Sequence, residues 1–184
     1  MKKFATLLAL ALVAMAANAQ SIVGQWRAGS DGSYTIKEFR ADGTMVDKVY
    51  QNEAQSMDNG FAVVSKGYLT CKAKYIVEGK NLGITYDSNT ASGKMQYAIS
   101  GGSKAQNQKI QRQAQSYFKE MERSAIAQYK KEVAEHRSMA FQIINLSGST
   151  LSLMQPDGSV ISFTRVGGST GSSSKKSATK KKRK

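Results

Sequence analysis

Leu69-Thr70-Cys71-Lys72-Ala73-Lys74-Tyr75-Ile76-Val77 is the stretch on which the fold class turns. Leu69, Cys71, Ala73, Tyr75 and Val77 alternate with Thr70, Lys72, Lys74 and Ile76. That period of two puts the first set on one face of a strand and the lysines on the other. Glu78-Gly79-Lys80-Asn81 is turn chemistry, after which Leu82, Ile84 and Tyr86 resume the alternation. Met95, Tyr97 and Ile99 repeat it after a polar stretch, Asp87 to Gly93, expected to be a loop. Upstream, Tyr34 to Phe39 and Met45 to Tyr50 flank Ala41-Asp42-Gly43-Thr44, a hairpin signal because Gly tolerates positive φ. The phase slips between Ile36 and Phe39, which suggests a bulge. Downstream, Leu151 and Leu153 precede Gln155-Pro156-Asp157-Gly158, and Ile161 and Phe163 follow it, a second hairpin ending at Val166.

One segment departs from this pattern. Ser103 to Arg137 has no Gly or Pro and is dominated by Ala, Gln, Lys, Arg and Glu. Ile110, Ala114, Tyr117, Phe118, Met121, Ala125, Tyr129 and Val133 recur at spacings of three and four, which predicts one long helix with an apolar stripe. Ser100-Gly101-Gly102 breaks the chain before it, and Ser103 is the expected N-cap. Its eight basic residues against four glutamates give a mixed face, ordinarily just solvated. Eight or nine short strands joined in sequence order imply a closed antiparallel sheet, because closure removes exposed edges.

Both ends stand apart from this domain. Met1-Lys2-Lys3 is a basic n-region, Phe4 to Ala16 an apolar run, and Ala17-Asn18-Ala19 a cleavage signature. Residues 1–19 are therefore expected to be a signal peptide, and the protein periplasmic or secreted. No Cys near Ala19 offers a lipidation site, and no later segment is expected to span a membrane. The tail 167–184 opens as a Gly/Ser linker and carries Lys175, Lys176, Lys180, Lys181, Lys182, Arg183 and Lys184 without an acid. It is expected to be disordered and to attract anionic surface polymers, not a specific nucleic acid. Half of the formal charge of +14 resides there, since 20–166 holds 18 bases against 13 acids.

Composition narrows the chemistry. One His, one Cys and one Pro in 184 residues leave no metal triad, zinc site or disulfide framework. No phosphate loop, dinucleotide fingerprint or nucleophile elbow appears. His136, beside Glu132 and Glu135, fits a helix C-terminus better than a general base. Cys71 shares a face with Leu69 and Ala73 and is expected buried and free. These observations favour a protein without catalysis, metal or cofactor.

Ile22-Val23-Gly24-Gln25-Trp26 resembles the Gly-x-Trp opening of lipocalins and lipocalin-like calycin domains. Gly158 to Val166 resembles the last strand of small exported lipocalin-like proteins of Bacteroidota type. The resemblance implies an up-and-down lipocalin-like β-barrel over 20–166, from which the helix over 103–137 departs as an insertion. It also implies barrel closure by Gly24, Trp26 and Arg165, the guanidinium lying across the indole. A small apolar ligand would then sit among Leu69, Tyr75, Leu82, Ile84, Tyr86, Met95, Tyr97, Leu151, Leu153 and Phe163. The alternative is an interaction or adhesion module that binds a partner or anionic polymers through the helix and the tail. The expected state is a monomer or weak dimer.

Overall fold

The computed structural model describes residues 21–57 and 60–167. The expected signal peptide and basic tail lie outside them. Eight strands alternate with turns: β1 (Gly24–Gly29), β2 (Ser33–Phe39), β3 (Thr44–Ser56), β4 (Ala62–Glu78) and β5 (Asn81–Ser100), then β6 (Ser138–Leu146), β7 (Thr150–Met154) and β8 (Val160–Arg165). Helices α1 (Lys104–Gln113) and α2 (Gln115–Glu135) separate β5 from β6. Every pairing is antiparallel between neighbours in sequence, and β8 returns to β1 through two residue pairs, Trp26 with Arg165 and Arg27 with Thr164. Asp42-Gly43 makes the β2–β3 turn, with Gly43 at φ 78° and the Asp42 carboxylate accepting from the Thr44 N–H at 2.9 Å.

The lipocalin-like barrel with a ligand chamber is corrected by the strand lengths and by the interior. β1, β2, β7 and β8 have five to seven residues, whereas β3, β4 and β5 have 13, 17 and 20. The long strands run past the small ring as a three-stranded sheet. Inside the ring, Trp26, Phe39, Met45, Leu82, Ile84, Leu151, Leu153 and Phe163 are at most 2 % exposed and form one packed core. Side chains of this size, so nearly excluded from solvent, fill the ring instead of lining a chamber.

Three local expectations also change. β2 pairs β1 and β3 without a register shift, so no bulge explains the slip between Ile36 and Phe39. Tyr34 and Ile36 face outward, and Lys37 faces inward with Phe39 as a buried charge. Asp87 to Gly93 is strand, not loop: β5 continues through it, and the pairing with β4 shifts register between Thr70 and Lys72. The single helix is two, divided at Ala114 (φ −88°, ψ 3°). Ser103 caps α1 in a reciprocal capping box with Gln106, and His136 closes α2 with its N–H on the Glu132 carbonyl at 3.0 Å.

The helices cover an edge. β6 pairs β5 only from Asn81 to Thr85, which leaves the far half of β5 unpaired on that side. Helix side chains take over there. Glu122 accepts from the Met95 N–H at 3.0 Å, while Gln111 accepts from the Ile99 N–H at 2.9 Å and donates to the Tyr97 carbonyl at 2.7 Å. Covering an open strand edge in this way prevents edge-to-edge association.

Candidate functional site

The two faces of β2, β3 and β4 present different chemistry. On the inner face, the Lys37 ammonium is buried against the Asp47 carboxylate and donates to the Tyr86 hydroxyl at 3.0 Å. The Tyr86 hydroxyl donates to Asp47 Oδ2 at 2.9 Å, and Asp47 Oδ1 is buried with no hydrogen-bond partner among the described residues. Burial alone would favour the neutral amine, but the Asp47 charge and the polarised Tyr86 hydroxyl outweigh it and raise the Lys37 pKa. Tyr86 is pushed up to about 12, chiefly by burial, with Lys37 opposing and Asp47 reinforcing. Burial and then the Asp47 charge also raise Tyr129, which packs onto this core from α2. Desolvation raises the Cys71 thiol, which sits 3.2 Å from the Asp87 carbonyl. These groups hold one another inside the protein.

The residues expected to line a ligand chamber are packing residues. Leu69, Leu82, Ile84, Tyr86, Met95, Leu151, Leu153 and Phe163 are buried. Tyr75 is half-buried, meets Phe39 edge-on at 5.0 Å and donates its hydroxyl to the Arg40 carbonyl at 2.6 Å. Tyr97, also half-buried, stacks on Phe118 of α2 at 5.7 Å. The helical stripe faces the sheet through Phe118, Tyr129 and Val133, while Tyr117 stands outside it at 61 % exposure. That packing overturns the helix as a docking surface. At the seam, the Arg165 guanidinium lies 4.2 Å from the Trp26 ring and donates to the Val23 and Ser21 carbonyls at 2.9 and 3.1 Å. Gly24, at φ 135°, lies beneath that guanidinium, where a Cβ would collide with it.

The outer face holds what the sequence pattern did not single out. Register aligns Tyr34 with Tyr50, Tyr50 with Tyr68, and Tyr68 with Lys94, one row across four strands. Tyr34 and Tyr50 stack at 4.6 Å and 15°, Tyr50 and Tyr68 meet at 6.0 Å, and the Arg27 guanidinium covers the other face of Tyr34 at 4.2 Å. None of the three hydroxyls bonds another described residue. Beside the row lies a hollow of about 460 Å³, edged by Asn52, Lys66, Lys94 and Gln96. The alternation that exposed Lys72 and Lys74 would have found this row had it been extended to cross-strand partners. Register, however, is not written in any single strand.

Among the described residues, no group of three or more His, Cys, Asp or Glu side chains could hold a metal ion, and no helix is long and apolar enough to cross a membrane. No family model matches the chain, and no curated protein matches it. A crystal structure of an uncharacterized protein from Bacteroides eggerthii is 14 % identical, with a TM-score of 0.41, over 79 % of this chain and all of that one. At that level the likeness carries no weight for fold or function. The lipocalin resemblance is thus withdrawn: no family match supports it, and the filled interior removes the chamber it implied.

Proposed function

We propose that this chain is an exported, noncatalytic binding module that takes an extended glycan on the outer face of its sheet. The tyrosine row carries the reading. Three aromatic rings set side by side on a solvent face offer rigid, amphipathic contact area at little entropic cost. Their hydroxyls, with the Asn52 and Gln96 amides beside them, are free to exchange water for the hydroxyls of a sugar. The basic n-region and apolar run at 1–19 support export. The Lys37 ammonium and the Tyr86 hydroxyl spend their hydrogen bonds on Asp47 and on each other inside the protein, which supports binding over catalysis.

Titration calorimetry of the full chain against a panel of neutral and acidic hexasaccharides tests this. At least one should bind, and Tyr50→Ala and Tyr68→Ala should each weaken that binding tenfold or more, while Lys130→Ala on α2 leaves it unchanged. Binding insensitive to both tyrosine substitutions would remove the row from the site.

A further inference from the structure

A second hollow, of about 860 Å³, opens at the rim of β3, β4 and β5, between the outward-facing Val46, Lys72 and Lys74, the inward-facing Met45, Ala73 and Tyr86, and Ala134 and Arg137 at the end of α2. Four cations line it, Arg40, Lys72, Lys74 and Arg137, against two acids, Asp42 and Asp87. The acids are engaged locally. Asp42 accepts from the Thr44 hydroxyl at 2.6 Å as well as from its N–H, and Asp87 accepts from the Asn89 N–H at 3.1 Å. Arg40 donates to Glu38 at 2.8 Å. Lys72, Lys74 and Arg137 form no ion pair with a described residue, although Asp42 and Asp87 line the same hollow. Thr85, Ser88 and Asn89 add polarity without charge.

Register connects this hollow to the tyrosines. Lys72 lies between Val46 and Asp87, and Lys74 between Thr44 and Thr85, on the face that also carries Tyr68. Four and six residues along β4 correspond to about 13 and 20 Å at the rise of a strand. One extended oligomer can therefore rest a ring on Tyr68 and reach the lysines with a later unit. From this we infer that the Lys72–Lys74–Arg137 hollow is an anion subsite and that the glycan is an acidic one, its carboxylate or sulfate groups seated there. The inference rests on the glycan reading of the tyrosine row, to which it adds the charge of the ligand. Charge complementarity selects the occupant: a neutral polymer leaves three unpaired cations idle, and an acidic one pairs them.

The test uses the full chain, so that the basic tail is the same in every arm. The probes are hexagalacturonate, its fully methyl-esterified neutral form, and a sulfated hexasaccharide, with affinities measured by calorimetry. The acid should bind about tenfold more tightly than its ester, and K72A/K74A should abolish that difference while leaving the ester unchanged. Tyr68→Ala should weaken both. The sulfated probe distinguishes the sources of charge: preference for it assigns sulfate, and preference for the galacturonate assigns carboxylate. Equal affinity of acid and ester for the unmodified chain, or an undiminished preference in K72A/K74A, overturns the subsite and leaves the tyrosine row standing. If none of the probes binds, the row falls with it. Tryptophan fluorescence of each variant reports whether the fold around Trp26 is intact.

Discussion

The same three strands carry one set of charges inward and another outward, and the two sets are treated oppositely. Inside, Lys37 and Asp47 face each other across adjacent strands, with Tyr86 bridging them. Outside, on the alternate positions of β2 and β3, Lys48 forms no ion pair among the described residues and Tyr34 and Tyr50 stack half-buried. A buried charge without a partner costs several kcal/mol, so the inner set is bound to be paired. No such penalty acts on the outer set, whose rings and cations are not forced into pairs by burial. On the function proposed above, stability is concentrated on one face and recognition on the other.

Substitutions can break this contrast, beginning with the largest expected effect. Asp47→Ala strands a buried ammonium and should destabilise the fold by about 3–5 kcal/mol in urea unfolding, whereas the double replacement K37M/D47L should recover most of that loss. If the single and double variants are equally unstable, the pair is not the source of the cost. Alkaline titration probes the same cluster. Tyr86 and Lys37 both have folded pKa values above their unfolded ones, so their contribution is complete below about pH 10 and declines as pH rises through the Tyr86 value of about 12. The thermal midpoint should fall across that interval, more gently in Tyr86→Phe. Arg165→Met removes the contact with Trp26 and two hydrogen bonds to the first residues of the described chain, for an expected loss of about 1–2 kcal/mol. On the outer face, Tyr50→Ala should cost no more than about 1 kcal/mol of cross-strand packing, and Lys48→Ala should stay within about 0.5 kcal/mol. A large destabilisation from either would mean that the outer face, too, serves the fold.

Much of the inner face was legible in the chain. Alternation through Leu69–Tyr75 and Leu82–Tyr86, the Asp42-Gly43 and Asp157-Gly158 turns and the Ser103 cap are local patterns, and local patterns survive folding. Lys37 was illegible because a buried lysine defeats a hydrophobic alternation, and only its partner Asp47, at the matching inward position beyond the turn, reveals it. β5 was misjudged at Asp87–Gly93 because a polar run facing water on one side and an irregular pairing on the other looks like a loop. The break at Ala114 has no residue signal, since alanine is the best helix former. The tyrosine row needed the register between strands, a property of two turns and not of any one segment.

The seam between β1 and β8 has a consequence for how the chain folds. Arg165 reaches the Val23 carbonyl across 142 residues, whereas four residues, 40–43, join β2 to β3 and two, Gly79 and Lys80, join β4 to β5. Hairpins can form as soon as their own residues are available, but the seam must wait for the last strand. Contacts of such long range carry the largest loop-closure cost and are made late. A chain synthesised N-terminus first would present β1 with an open edge until the final strand arrived, and Arg165 closing over Trp26 would be the event that ends that exposure.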